Sequence, residues 1–161
     1  MNVQELCSAI EEWAPLSYQE SYDNCGLIVG NPNQELSGVL VSLDSLESVV
    51  DEAIHKHCNM IISHHPVIFK GLKSLTGKNY VERTVLKAIK NDIAIYAIHT
   101  NLDNLNQGVC RRMSEQLGLI NSRVLSPKNG LLKKLVTYVP KESAEILRSS
   151  LFEIGASSMA N

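Results

Sequence analysis

Apolar, β-branched runs alternate along this chain with stretches of helical periodicity, and no other feature constrains its fold as strongly. Gly38–Asp44 (G-V-L-V-S-L-D) predicts a buried strand. Leu46, Val49, Val50, Ala53, Ile54 and His57 then recur at the spacing of one helix face. Met60-Ile61-Ile62 is a second strand run. Tyr80, Val81, Thr84, Val85, Ala88 and Ile89 mark a second amphipathic helix, and Ile93–Ile98 a third strand. Gln107–Leu117 completes the series as a helix with Val109, Cys110, Met113 and Leu117 facing inward and Gly118 as its stop. Parallel strands need crossover connections of this kind. The expected fold is therefore α/β, a three-layer β-α-β-α-β-α unit with a mostly parallel sheet.

Two segments precede that unit. Asn2–Trp13 predicts a helix, with Asn2 as N-cap, Glu5 placed for a capping box, and Ala14-Pro15 closing it. Tyr18–Gly30 begins with turn chemistry at Asp23, Asn24 and Gly26 and passes into a short strand, Leu27-Ile28-Val29. Tyr22, Asp23 and Asn24 have two open readings, an Asx-type turn or the lining of a substrate site. Phe69–Lys78 is a loop carrying Lys70, Lys73 and Lys78, either plainly solvated or placed over an anionic substrate.

The chemistry gathers where strands end. Ligands in open α/β sheets collect outside the carboxyl ends of the strands. Here those ends carry Ser42 and Asp44, then Ser63, His64 and His65, then His99 and Asp103. Pro66 stiffens the second end, so the two adjacent imidazoles can flank one cavity and each can hold a different ion. A carboxylate with several imidazoles suits a divalent metal such as Zn, Mn or Fe. Two such ions can polarise a substrate oxygen and acidify a bridging water. Asp44 also reads as the N-cap of the following helix, and that is the role expected for it.

Composition narrows the classes that remain. The chain has 161 residues, 44% of them apolar and 20% charged, which allows a packed core. A net charge of −2 and the lack of any Lys/Arg-rich run offer nucleic acid or anionic membrane no general attraction. No apolar run approaches the ~20 residues of a membrane span. None of Cys7, Cys25, Cys58 and Cys110 forms a C-x-x-C pair. Cys7, Cys58 and Cys110 fall in helical patterns and are expected to be small buried hydrophobes, and a reducing, cytoplasmic setting is the default.

The order and spacing of Y-D-N-C-G-L at Tyr22–Leu27, S-H-H-P-V-I-F at Ser63–Phe69 and A-I-H-T-N-L-D at Ala97–Asp103 resemble the NIF-three-like family, also called the GTP cyclohydrolase 1 type 2 homologues. The resemblance covers about the first 120 residues. It implies a dinuclear divalent-metal site, with His64, His65 and Asp103 matching metal ligands and His99 matching a site-lining, candidate catalytic histidine. It also implies a ring-shaped, usually hexameric homo-oligomer and, by the family's name, metal-dependent hydrolysis of a nucleotide or related phosphorylated small molecule. A non-catalytic metal-binding scaffold is the alternative.

The chain departs from the family pattern in one respect. The family completes its metal site with a later His and Glu in an H-x-x-x-E arrangement, and no histidine follows His99 here. The expectation is an incomplete family fold that binds metal weakly and is weakly active or inactive. An N-terminal α/β domain spans 1–125. In 126–161 a linker leads into a strand from Leu131 and a helix over Lys141–Ile154, similar to the opening of a PII-like insert and truncated there. Leu135, Val136, Val139, Leu147, Leu151 and Phe152 of that tail are expected to stand exposed.

Overall fold

The structure is a computed structural model that describes residues 1–127 and 134–156. Four short strands form its middle layer: β1 (Gly26–Val29), β2 (Val39–Ser42), β3 (Met60–Ser63) and β4 (Ala94–Ala97), in the order β1-β4-β3-β2. β2, β3 and β4 run parallel, with Ser42 opposite Ser63 and Ser63 opposite Ala97. β1 joins the other side of β4 antiparallel, with Gly26 opposite Ala97. The N-terminal end of β1 therefore lies at the same sheet edge as the C-terminal ends of the other three. That reversal carries the Asp23–Asn24 turn to the histidine-bearing strand ends.

Helices cover both faces. α2 (Glu47–His55) and α3 (Tyr80–Lys90) supply the two crossovers and pack Val50, Ala53, Val85 and Ala88 with Ile61 and Ile95 of the sheet. α1 (Val3–Trp13) covers the opposite face, setting Val3 and Cys7 beside Met60, Ala94 and Tyr96. Its start is the capping box the sequence predicts. The Glu5 amide donates to Asn2 Oδ1 at 2.9 Å and the Asn2 amide donates to Glu5 Oε2 at 3.0 Å. After β4 come α4 (Thr100–Asp103), a single turn, and α5 (Val109–Gln116). Gly118 adopts φ +66 just past α5, the left-handed stop expected there. α6 (Ala144–Glu153) follows a 3-10 turn at Lys141–Ser143.

Several expectations need correction. β2 is an edge strand, not a buried one: Val39 is 37% and Val41 75% exposed, because no strand or helix among the described residues covers that side. Asp44 does not cap α2, whose N-cap position is Leu46 with no side-chain hydrogen bond. His57 lies beyond the helix at φ +56. Cys58 is likewise outside α2 and half-buried, and Cys110, though in α5, is exposed. Met113 and Leu117, expected to face inward, are also exposed, because nothing among the described residues packs on that side of α5. Of the strand expected from Leu131, residues 131–133 lie outside the described residues, and 134–140 form no strand. Leu135, Val136, Val139 and Phe152 stand exposed, while Leu147 and Leu151 are half-buried.

Glu82, on the first turn of α3, has no signal in the sequence that marks it as buried. It is 1% exposed and accepts hydrogen bonds from the amides of Thr76, Gly77 and Lys78 and from the Thr76 hydroxyl. This carboxylate ties the end of the Phe69–Lys78 loop to the first turn of α3.

Candidate metal centre

Past the ends of β2 and β3 backbone hydrogen bonds still join the two segments. The His64 amide donates to Ser42 O at 3.2 Å and the His65 amide to Leu43 O at 2.9 Å. On the other side of β3 the Ile98 amide donates to Ser63 O at 2.9 Å. The backbones bearing Asp44, the two adjacent histidines and His99 are thus held side by side before any side chain is considered.

The side chains converge. Ring centroids of His64, His65 and His99 lie 5.0 to 5.5 Å apart. One ring nitrogen of each lies within 4.8 Å of the others. Every Nδ1 has its own partner: His64 with Ile98 O at 2.9 Å, His65 with Asp44 Oδ1 at 2.8 Å, His99 with Asp23 Oδ1 at 2.9 Å. Each Nδ1 faces an acceptor oxygen and so carries a proton, and an imidazole protonated there alone keeps its lone pair on Nε2. Three such lone pairs remain for the centre. Asp103, on α4, comes beside them, with Oδ1 3.8 Å from His64 Nε2.

Asp23 is the most deeply set of these groups. Its side chain has no exposed surface. It accepts from His99, from the Thr100 amide at 3.0 Å, from the Thr100 hydroxyl, from the Asn24 amide at 2.8 Å and from Cys25 Sγ at 3.2 Å. Burial pushes its carboxyl upward, but the hydrogen bonds from His99, Thr100, Asn24 and Cys25 outweigh burial and hold it well below the usual range. Burial pushes the neighbouring Cys25 thiol up. Of the other two residues considered for substrate, Asn24 is tied through Nδ2 to Ile68 O at 2.6 Å. Tyr22 is 64% exposed, its ring 6.3 Å from that of Phe69 at the rim.

The donor set fits a divalent transition ion. Zn–N bonds of 2.0–2.1 Å put nitrogens of a tetrahedral site roughly 3.3 Å apart. One nitrogen of each histidine lies within 4.8 Å of the others, in the range from which three imidazoles can meet one ion. Three carboxylates, Asp23, Asp44 and Asp103, supply compensating negative charge. Only Asp103 was expected at the metal site from the sequence, by its place at a strand end that also bears a histidine; Asp44 was expected to cap a helix.

The sequence profile of Duf34/NIF3 (NGG1p interacting factor 3) matches residues 1–158. The chain belongs to the Duf34/NIF3 family. Its relatives include the GTP cyclohydrolase 1 type 2 homolog of Bacillus subtilis, 43% identical over 97% of this chain and 42% of that protein. The homolog of Staphylococcus epidermidis is 37% identical over 100% of the chain and 44% of its own length. Among solved structures, a Bacillus cereus protein related to NIF3 superposes with a TM-score of 0.75 at 38% identity, covering 100% of this chain and 45% of that one. The chain thus spans less than half the length of each of these three Duf34/NIF3 relatives. The α/β fold expected from the alternation of runs is the fold these Duf34/NIF3 structures share.

Proposed function

We propose that this chain is the metal-binding half of a divalent-metal-dependent hydrolase that acts on a nucleotide or related phosphorylated small molecule. The observation that carries the reading is the histidine triangle, with all three Nδ1 atoms engaged and one ring nitrogen of each residue within 4.8 Å of the others. His64, His65 and Asp103 are the proposed ligands. A divalent ion held there would polarise a substrate oxygen and lower the pKa of a bound water.

The chain's own residues have the remaining roles. Ile98 O, Asp44 and Asp23 hold the imidazoles in one tautomer. His99, backed by the buried Asp23, presents Nε2 to the same centre, where it can serve as a further ligand or hold a proton near the reacting water. Tyr22, at the rim beside Phe69, is the exposed member of the proposed substrate residues, with Asp23 and Asn24 fixing its turn. The family's names support the nucleotide substrate class. Homo-oligomerisation and a cytoplasmic setting belong to the same proposal. The four free thiols are compatible with that setting, and no helix among the described residues is long and apolar enough to cross a membrane. We also place the domain boundary near residue 125, with 126–161 opening a separate unit.

Elemental analysis of chelator-free protein tests the reading, run beside the full-length Bacillus subtilis relative. Bound Zn, Mn or Fe that drops in His64→Ala, together with metal-dependent release of product from a nucleotide, is the expected outcome. Metal content unchanged by His64→Ala would refute it. Metal bound without turnover in either protein favours the scaffold alternative.

A further inference from the structure

Asp44 has the sequence position of a helix cap and does not act as one. It stands two residues before Leu46, the N-cap of α2, and no side chain closes that helix end. Its carboxylate turns instead across the strand ends to His65 Nδ1, 2.8 Å away. The pair is half exposed, 47% for the imidazole and 50% for the carboxylate, so burial does not force it. The backbone fixes it. The Asp44 carbonyl accepts from Ser42 Oγ at 2.9 Å, and the His65 amide donates to Leu43 O at 2.9 Å, which locks the two residues in register. His64 is oriented by a backbone carbonyl and His99 by a buried carboxylate. His65 alone depends on an exposed side chain.

We propose that Asp44 is a positioning residue of the metal centre: it holds His65 in the Nδ1–H tautomer, aims Nε2 at the ion, and makes His65 a stronger donor to a borderline divalent ion such as Zn2+. The inference rests on the metal reading above. A carboxylate on the far nitrogen of a ligating imidazole fixes its orientation and raises its basicity, and losing such a partner costs 10–100-fold in affinity. Because Asp44 neither caps α2 nor enters the core, removing it should leave the fold intact.

The test uses the whole chain at pH 8. Long-range 1H–15N spectra of the metal-free protein report the His65 tautomer, and competition with a chromophoric chelator reports Zn2+ affinity. In wild type His65 is expected as the Nδ1–H form. Asp44→Ala should release it to a mixture and weaken Zn2+ binding about 10–100-fold, with an unchanged circular dichroism spectrum. Asp44→Asn keeps an acceptor oxygen and should retain the tautomer, with an intermediate loss. Asp51→Asn, which removes a negative charge from the exposed ion pair with Lys87 on α3, should leave Zn2+ affinity alone. Wild type that binds Zn2+ while Asp44→Ala matches it within about twofold in affinity and keeps the tautomer overturns the inference and spares the metal reading. An equal loss in Asp51→Asn overturns it too, since charge alone would then explain the effect. Wild type that takes up no Zn2+ brings down both.

Discussion

Asp23 is a buried carboxylate kept ionised by what surrounds it. Five groups donate to it, among them the Thr100 amide and hydroxyl and His99 Nδ1. Asp23→Ala would strand several of these donors in a site with no solvent, at a cost of about 3 kcal/mol in urea unfolding. The same substitution should free His99 to rotate, so metal content ought to fall with stability. Asp23→Asn keeps the shape but brings an amide N–H against the Thr100 and His99 donors, and should recover part of the stability only. The direction of the Asp23 shift also fixes a sign. A carboxyl held low in the folded state contributes stability above its unfolded pKa and loses it as pH falls through the folded value.

At the scale of elements, two connections decide where the site residues stand. Glu82 clamps the Phe69–Lys78 loop to α3. Burial pushes its carboxyl up, but the amides of Thr76 and Lys78, the Thr76 hydroxyl and the Lys78 ammonium prevail and hold it at about 2, against an ordinary 4.5. Its contribution is therefore complete above about 4.5 and is lost as pH falls toward 2. Urea midpoints measured across that window should decline in wild type and decline less steeply in Glu82→Gln, which starts lower at neutral pH. Gly108, between α4 and α5, is the second connection. A Cβ there would meet Leu102 O at 2.0 Å and Leu105 O at 2.9 Å, both backbone atoms. Gly108→Ala should cost about 3 kcal/mol in thermal or urea unfolding, and by moving α4 it should lower metal content through Asp103. At α1, Asn2→Ala removes the cap and should cost about 1 kcal/mol.

At the scale of the whole molecule, nothing among the described residues covers the apolar side of α5. α5 and the end of α1 border a groove of about 740 Å3 lined by Trp13, Leu102, Val109, Met113 and Leu117 among others. Trp13 is 54%, Met113 57% and Leu117 70% exposed. Side chains so exposed contribute little to the fold, so Met113→Lys and Leu117→Lys should each change stability by no more than about 0.5 kcal/mol. They should also reduce binding of a hydrophobic dye such as ANS. Trp13 is the single tryptophan of the chain, so its emission reports on this face directly. A solvent-like maximum is expected for the isolated chain.

Much of this architecture was legible in the chain because it is local. The Asn2–Glu5 capping box and the Gly118 stop are decided within a few residues and formed where expected, and the strand and helix runs of the first 120 residues formed within a few residues of their expected bounds. Strand-end topology placed His64, His65, His99 and Asp103 at one edge, since parallel strands of a β-α-β unit must bring their carboxyl ends together. Burial could not be read the same way. Val41 and Val29 are equally good strand residues, yet Val41 is 75% exposed and Val29 7%, because β2 stands at the open edge of the sheet and Val29 packs into the core beneath α3. Apolar spacing on α5 marks a face meant for contact without saying that nothing here supplies it. Tertiary structure alone decided the partners of the histidines. The antiparallel entry of β1 delivers Asp23 to His99, and the register of β2 on β3 turns Asp44 away from its helix and onto His65.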